Sequence, residues 1–410
     1  MSFTLLSFAT IGDVLRDLLG LDIPLPIQTY GFFVAMAFLS GTFIMNREYR
    51  RMESLGMVGP VYRVETIGEK ATVKELVFSF LIAFAVGYKL VDIVINYREF
   101  ANNAQDFLVS GRGCWWGGLL LAAVSTYLSY NDKKKKALPQ PKKVILRVWP
   151  HQLAANLLIV TGIFGLFGAK IFHNFENWDR FMADPIGELT SFSGLTFFGG
   201  LIVGGFAGAW YLRKNKLSSF HTLDCAACGI PMGYAMGRLG CQLSGDGCWG
   251  IENTSECPAF LPEWAWKSTF PHNVINAGPQ MADCGGGTHC HELATSVYPT
   301  SLYETCMMLI IFALCFFVLN RRVKLPGMLF GMYLTMQGIE RLLIESIRVN
   351  NKFNVFGMEV TQAQMIATGL IIAGGTIIYL TWKYKDKIAE MAKYKEDIPN
   401  IKAEIVDKIE

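Results

Sequence analysis

Two arginines lie deep within apolar sequence. Arg238 falls in Gly237-Arg238-Leu239-Gly240-Cys241-Gln242-Leu243-Ser244-Gly245-Asp246-Gly247-Cys248-Trp249-Gly250, and Arg341 begins Arg341-Leu342-Leu343-Ile344-Glu345. A charge at the centre of a membrane helix costs about 3 kcal/mol on insertion scales, so each needs a compensating partner. Glu345 and Arg348 follow Arg341 at i+4 and i+7, which predicts all three along one helix face with Glu345 holding the guanidinium. Guanidinium forks match a phosphodiester with paired donors. The glycines of the first run, Gly237, Gly240 and Gly250 among them, interrupt the helix and let backbone N–H groups face a ligand. Lys170 and His173, late in another apolar run, and Tyr30, at the start of the first, fall at a similar depth. These residues predict an intramembrane site for an anionic lipid headgroup, opening outward. The plainer alternative is snorkelling of single basic side chains to lipid phosphates.

The elements that must position them follow from composition. Of 410 residues 52% are hydrophobic and 17% charged, where a soluble domain carries about a quarter charged. The apolar residues cluster into runs long enough to cross hydrocarbon as helices. Soluble multidomain enzymes and disordered chains are excluded, and a net charge of +3 argues against nucleic acid as a partner. The expected fold is all-α and polytopic, with about nine transmembrane helices at 28–46, 75–96, 114–130, 152–174, 192–212, 222–243, 299–319, 326–347 and 362–382. Lys and Arg concentrate in 47–74, 131–151, 213–220, 320–325 and the tail after Trp382. Those alternate connections are cytoplasmic by the positive-inside rule, which puts the N-terminus outside and the C-terminus inside. Residues 1–27 form a periplasmic interfacial segment, 28–382 the transmembrane domain, 244–298 a long outer loop, and 383–410 a charged cytoplasmic tail expected to be helical.

The sequence also repeats itself. Gly87-Tyr88-Lys89-Leu90 recurs as Gly168-Ala169-Lys170-Ile171, and Trp116-Gly117-Gly118-Leu119 as Phe198-Gly199-Gly200-Leu201, at offsets of 81 and 82. A duplicated helical hairpin over 75–130 and 152–212 is expected. Gly200, Gly204 and Gly208, four apart, form a stripe for close helix packing. Cys225 and Cys228 read as packing residues. The outer loop holds Cys248, Cys257, Cys284 and Cys290, expected to form disulfides, with a metal site of His272, His289, Cys290 and His291 as the competing reading. No P-loop, dinucleotide fingerprint or HExxH occurs, so no cofactor and no catalytic metal are expected.

Taken in order, these residues resemble the bacterial prolipoprotein diacylglyceryl transferases. Tyr30-Gly31 resembles that family's Trp-Tyr-Gly, and Phe181-Met182-Ala183-Asp184-Pro185 with Gly194 to Ile202 is similar to its second loop and Gly-Gly helix. Gly237 to Gly250 resembles its signature, Tyr298-Pro299-Thr300-Ser301-Leu302-Tyr303-Glu304 its His-Pro-Ser-Gln-Leu-Tyr-Glu element, and Arg341 to Glu345 its Arg-x-x-x-Glu helix. The resemblance implies seven spans with the same orientation, to which the extra hairpin adds two. It departs in four places: the family's histidine is Phe198, its signature asparagine Cys241, its glutamate Asp246, and a tyrosine Gln337.

The implied reaction moves a diacylglyceryl group from phosphatidylglycerol to the lipobox cysteine thiol of a preprolipoprotein, with glycerol phosphate leaving. It is an S-alkylation, which needs a thiolate near the glyceryl carbon and fixed positive charge on the departing phosphate. The resemblance assigns that charge to Arg238 and Arg341, and headgroup binding to Tyr30. It adds Gly237, Gly240, Asp246, Gly250, Tyr303, Glu304 and Glu345 as substrate-binding residues, and Lys170 joins them by its depth. Phe198 cannot accept a proton, so His173, whose imidazole titrates near neutral pH, is the expected base, with unassisted ionisation beside two arginines the alternative. The partners are phosphatidylglycerol, the lipobox segment and membrane lipids, and the expected location is the bacterial inner membrane with the site facing the periplasm. A non-catalytic lipid-binding or lipid-moving protein that keeps the arginine pocket, and a related transferase with another acceptor, are the rival readings.

Overall fold

A computed structural model describes residues 7–21, 23, 25, 27–102, 107–108, 110–191, 194, 196–282, 289–350, 352–355, 358–401 and 403–407. Among them are nine long helices, one at each expected span: α1 Thr29–Ser54, α2 Val73–Ile95, α3 Trp115–Lys136, α4 His151–Glu176, α5 Phe197–Lys214, α6 Ser219–Ser244, α7 Thr300–Arg322, α8 Met328–Glu345 and α9 Gln362–Lys383. α7 passes through a π-helical turn at Leu314–Leu319. Five of the nine, α1, α2, α4, α7 and α9, are long and apolar enough to cross a membrane by length and composition. The others carry charge within the helix, notably Asp224 and Arg238 of α6 and Glu340, Arg341 and Glu345 of α8. Outward faces expose Leu39, Phe43, Phe167, Phe206 and Ile372, as lipid contact requires.

The chain divides into two compact units. One comprises residues 1–59, 154–158 and 216–394. Here α6 packs along α1 and α7, and α8 along α9. Small residues set the approach. A Cβ on Gly229 would lie 3.1 Å from the Gly41 carbonyl, one on Gly233 3.3 Å from that of Ala37, and one on Gly240 2.8 Å from Phe33 Cβ. α1 therefore runs antiparallel to α6 and brings Tyr30 against the end of α6 that holds Arg238. Between these helices lies a core that includes Cys228, Ala235, Met308, Leu329 and Tyr333. Cys225 and Cys228 are fully buried thiols, as packing residues should be. At the opposite end, Asp224 accepts from Gly327 N at 2.7 Å and Phe330 N at 3.1 Å, capping α8, and Glu48 accepts from Asn320 Nδ2 at 3.0 Å. The helix Ile11–Leu19 starts at a Thr10–Asp13 capping box, and the strand pair β3 Lys352–Val355 and β4 Met358–Thr361 leads into α9.

The second unit comprises 60–153, 159–215 and 395–410. It contains both copies of the hairpin, and their contacts correspond position by position. A Cβ on Gly87 would meet the Gly117 carbonyl at 2.6 Å and Leu121 Cβ at 2.7 Å; one on Gly168 would meet the Gly199 carbonyl at 2.3 Å and Val203 Cβ at 2.5 Å. Lys89 Nζ donates to the Ser110 carbonyl at 2.6 Å and Lys170 Nζ to Ser191 Oγ at 3.1 Å. Asn96 donates to Asp92 at 2.7 Å, while Asn177 Nδ2 faces His173 Nδ1 at 3.3 Å. The two hairpins thus share contacts at corresponding positions, with Asp92 standing where the second has His173. The stripe Gly200, Gly204 and Gly208 lies against Gly165 and Thr161 of α4, as its spacing predicts.

The all-α expectation holds for the long helices, and a small sheet is added to it: the loops after α1 and α3 form β1 Val61–Ile67 and β2 Lys142–Val148, paired antiparallel. Among the described residues the charged tail is helical over Lys385–Ala392, and β5 Glu404–Asp407 joins β2 in parallel. Val and Ile, which favour strands, occur in all three of these segments. Arg147 pairs with Asp407 and holds its carboxyl below the usual range.

The paired glycines make a prediction. Gly87→Val and Gly168→Val should each lower the thermal midpoint in detergent, at a cost of about 1–3 kcal/mol, because a side chain drives the two backbones apart. An unchanged midpoint in both would show that the hairpins do not pack through these positions.

Candidate functional site

The site begins at a carboxylate. Glu304, in the second turn of α7, is wholly buried and is met by three guanidinium groups. Arg238 Nε of α6 contacts Glu304 Oε2, Arg341 Nη1 of α8 lies 3.3 Å from Oε1, and Arg348 Nη1 3.1 Å from the same atom. Tyr234 Oη donates to Oε2 at 2.9 Å and accepts from Arg238 at 3.3 Å. Glu345 is fixed in turn: Oε2 lies 3.2 Å from Arg341 Nη2, while Oε1 accepts from Thr361 Oγ1 at 2.6 Å and Asn350 Nδ2 at 2.7 Å. Thr361 also caps α9, so this carboxylate joins the ends of α8 and α9.

Arg238, Arg341 and Arg348 contact two carboxylates, Glu304 and Glu345, and a third buried carboxylate, Glu340, lies within electrostatic reach of all three. Each guanidinium has five N–H donors and spends few here. Arg348 Nε is buried with no acceptor. A buried donor without a partner is costly, and an anion entering the cluster would satisfy it.

Of the residues expected from sequence, Arg238, Arg341, Glu304 and Glu345 come together in this cluster. Tyr30 sits beside it, its Cα 3.6 Å from where a Cβ on Gly240 would lie. Gly237 faces open space. Gly250 lies where a Cβ would meet the Ile347 carbonyl at 2.4 Å, and it bridges to Arg348. Its lack of a side chain lets the loop close on the segment that carries Arg348. Asp246 accepts from Cys248 N at 3.1 Å. Tyr303 turns to the outer loop and donates to the Ala265 carbonyl at 2.9 Å.

Lys170 and His173 belong to the second unit. There a Cβ on Gly194 would fall 2.2 Å from His173 Nε2, and Glu188 lies 4.0 Å from the same nitrogen.

Two participants went unassigned in the sequence. Tyr234 was legible as the residue one helical turn before Arg238. Arg348 was placed on the Arg341 helix face, but α8 ends at Glu345 and the guanidinium arrives from the turn beyond it. The loop cysteines meet the expected disulfides at Cys290 and differ at Cys248 and Cys257. Cys248 and Cys257 are free thiols, Cys290 is disulfide-bonded, and Cys284 lies outside the described residues. The metal reading of that loop loses Cys290 as a thiolate. His272 Nδ1 lies 2.8 Å from the His289 carbonyl and His289 Nδ1 3.1 Å from Asn276 Oδ1. A hydrogen bond from Cys241 holds the Cys248 thiol below its ordinary value.

Long apolar helices around a buried, cation-rich polar cluster define a helical membrane protein. The family model for prolipoprotein diacylglyceryl transferase matches residues 18–142 and 140–380, across both hairpin copies. A phosphatidylglycerol–prolipoprotein diacylglyceryl transferase of Dehalococcoides mccartyi is 32% identical over 224 residues, 54% of this chain and 75% of that protein. One of the same name from Vibrio vulnificus is 29% identical over 243 residues, 58% and 77%. A third, from Leptospira interrogans, is 30% identical over 221 residues, 48% of this chain and 62% of its own length. The chain belongs to the prolipoprotein diacylglyceryl transferase family.

Glu304→Ala leaves three guanidinium groups without their shared anion. It should destabilise the protein by about 3–5 kcal/mol, the range for breaking a buried ion pair. Denaturant unfolding in detergent reads this directly, and a loss below about 1 kcal/mol would mean the arginines are compensated elsewhere.

Proposed function

We propose that this protein transfers the sn-1,2-diacylglyceryl group of phosphatidylglycerol to the lipobox cysteine of prolipoproteins, the first step of bacterial lipoprotein maturation. Family membership supports the reaction class. The observation that carries the site assignment is the convergence of three guanidinium groups on Glu304.

Arg238, Arg341 and Arg348 bind the phosphodiester and stabilise the charge that grows on the leaving phosphate oxygen. Glu304 and Glu345 hold the guanidinium forks in place, so little reorganisation is needed as the bond breaks. Tyr30 orients the headgroup by hydrogen bonding. The acceptor sulfur attacks the glyceryl carbon, the carbon–oxygen bond to phosphate breaks, and glycerol phosphate leaves. Nine spans place the N-terminus outside and the tail inside, in the inner membrane, with the arginine cluster toward the periplasmic side, the arrangement that the positive-inside distribution supports.

The test is mass spectrometry of a lipobox peptide incubated with purified protein and phosphatidylglycerol. A diacylglyceryl mass gain is expected on the cysteine peptide and not on its serine counterpart. Arg238→Ala and Arg341→Ala should each reduce kcat/KM by about 100-fold or more while the protein stays folded in the membrane. Near-normal transfer by both variants would remove the phosphate role, and no gain with wild-type protein that binds the lipid would point to a lipid carrier.

A further inference from the structure

The chemistry of S-alkylation needs a thiolate, and the two carboxylates that contact the arginines are both engaged. Glu304 is engaged by three guanidinium groups and Tyr234, and Glu345 by Arg341, Asn350 and Thr361. A different group of side chains lies next to it. α6 ends at Ser244, and Gly245 and Gly247 take φ of +62° and +92°, which side-chain-bearing residues rarely adopt. The chain therefore doubles back, bringing Asp246 and Cys248 against Cys241 in the last turn of the helix. One ligand atom from each of the three lies within 4.8 Å of the other two. Cys241 is buried, whereas Asp246 and Cys248 are part-exposed, so the trio can be reached from outside the helix packing. Cys248 is pinned from both sides: its N–H donates to Asp246 Oδ1 at 3.1 Å, and its carbonyl accepts from Thr300 Oγ1 at 2.7 Å and Ser301 Oγ at 3.1 Å.

We infer that Cys241, Asp246 and Cys248 hold a zinc ion whose open fourth position takes the acceptor thiol. Two thiolates and a carboxylate are a zinc donor set, and three protein ligands with one vacancy is the pattern of catalytic rather than structural zinc. At Zn–S distances of about 2.3 Å, tetrahedral ligands stand about 3.8 Å apart, so the trio needs to close by about 1 Å or less. Three anionic ligands on Zn2+ leave a net negative charge, which the acceptor thiolate increases. Arg238 and Arg348, both within electrostatic reach of Cys248, offset it. Arg238 precedes Cys241 by three residues, so the two lie on one helix face about 4.5 Å apart along the axis. A thiolate on the metal and a phosphate on the arginine would sit one turn from each other.

The step balances without a redox partner. The acceptor S–H loses its proton to water on binding zinc, and the zinc-bound sulfur then forms the bond to the glyceryl carbon. The carbon–oxygen bond to phosphate breaks with its electron pair staying on the phosphate oxygen. The thioether, a poorer ligand, dissociates. This inference rests on the transferase reading.

The experiment uses full-length protein in detergent under a phosphine reductant, stripped with a chelator and reloaded with Zn2+ or Co2+. One metal per chain is expected by elemental mass spectrometry, falling at least tenfold in Cys241→Ser and Cys248→Ser. The cobalt form should show thiolate-to-metal absorption that strengthens with a cysteine lipobox peptide and not with the serine peptide. Stripped protein should transfer lipid at least a hundredfold more slowly than reloaded protein. Failure to bind zinc, zinc retained by both cysteine variants, or a Cys241–Cys248 disulfide in place of metal would overturn the site. Equal transfer with and without metal would overturn zinc's role and leave the transferase reading standing. Zinc and peptide binding with no transfer would sustain the site and sink the reading on which it rests.

Discussion

The burial of Glu304 among three guanidinium groups is the constraint on which the rest of this structure turns. A carboxylate with no solvent exposure is tolerated only when fully paired, and its partners come from three separate segments: Arg238 from α6, Arg341 from α8 and Arg348 from the turn after α8. Each segment must therefore reach one point, and the helix packing of this unit serves that end. The glycines of α6 let α1 approach closely and set Tyr30 at the cluster. Gly250 lets the outer loop close on Ile347 and position Arg348.

In the proposed reaction the three converging guanidinium groups, with donors still unspent, serve as the anion site. Positive charge in a low-dielectric setting acts strongly on a departing phosphate, and because the carboxylates fix the guanidinium geometry in advance, that stabilisation costs little reorganisation. The same carboxylates are then unavailable for proton transfer. That division of labour places thiol activation in the neighbouring Cys241, Asp246 and Cys248, one helical turn away. The duplicated hairpin shows the complementary principle. Its two copies share the glycine contact and the lysine–serine contact, yet hold Asp92 in one and His173 in the other. The two hairpins share their packing and differ at the titratable position.

The sequence by itself determined the long apolar helices, the family and most of the charged residues that gather around Glu304. Hydrophobic runs near the thickness of a bilayer leave little choice of structure, and charges inside such runs stand out because each is costly. Tertiary structure decided what those charges meet. Glu304 lies 66 residues from Arg238 and 37 from Arg341, and no local pattern states that one carboxylate serves both. The end of α8 at Glu345 removed Arg348 from the helix face its spacing suggested and delivered it from a turn. The small sheet was hidden because its strands pair across long separations, with β5 meeting β2 from the far end of the chain. The meeting of Cys241, Asp246 and Cys248 depends on two left-handed glycines, a backbone reversal that matches no metal-binding motif in the sequence.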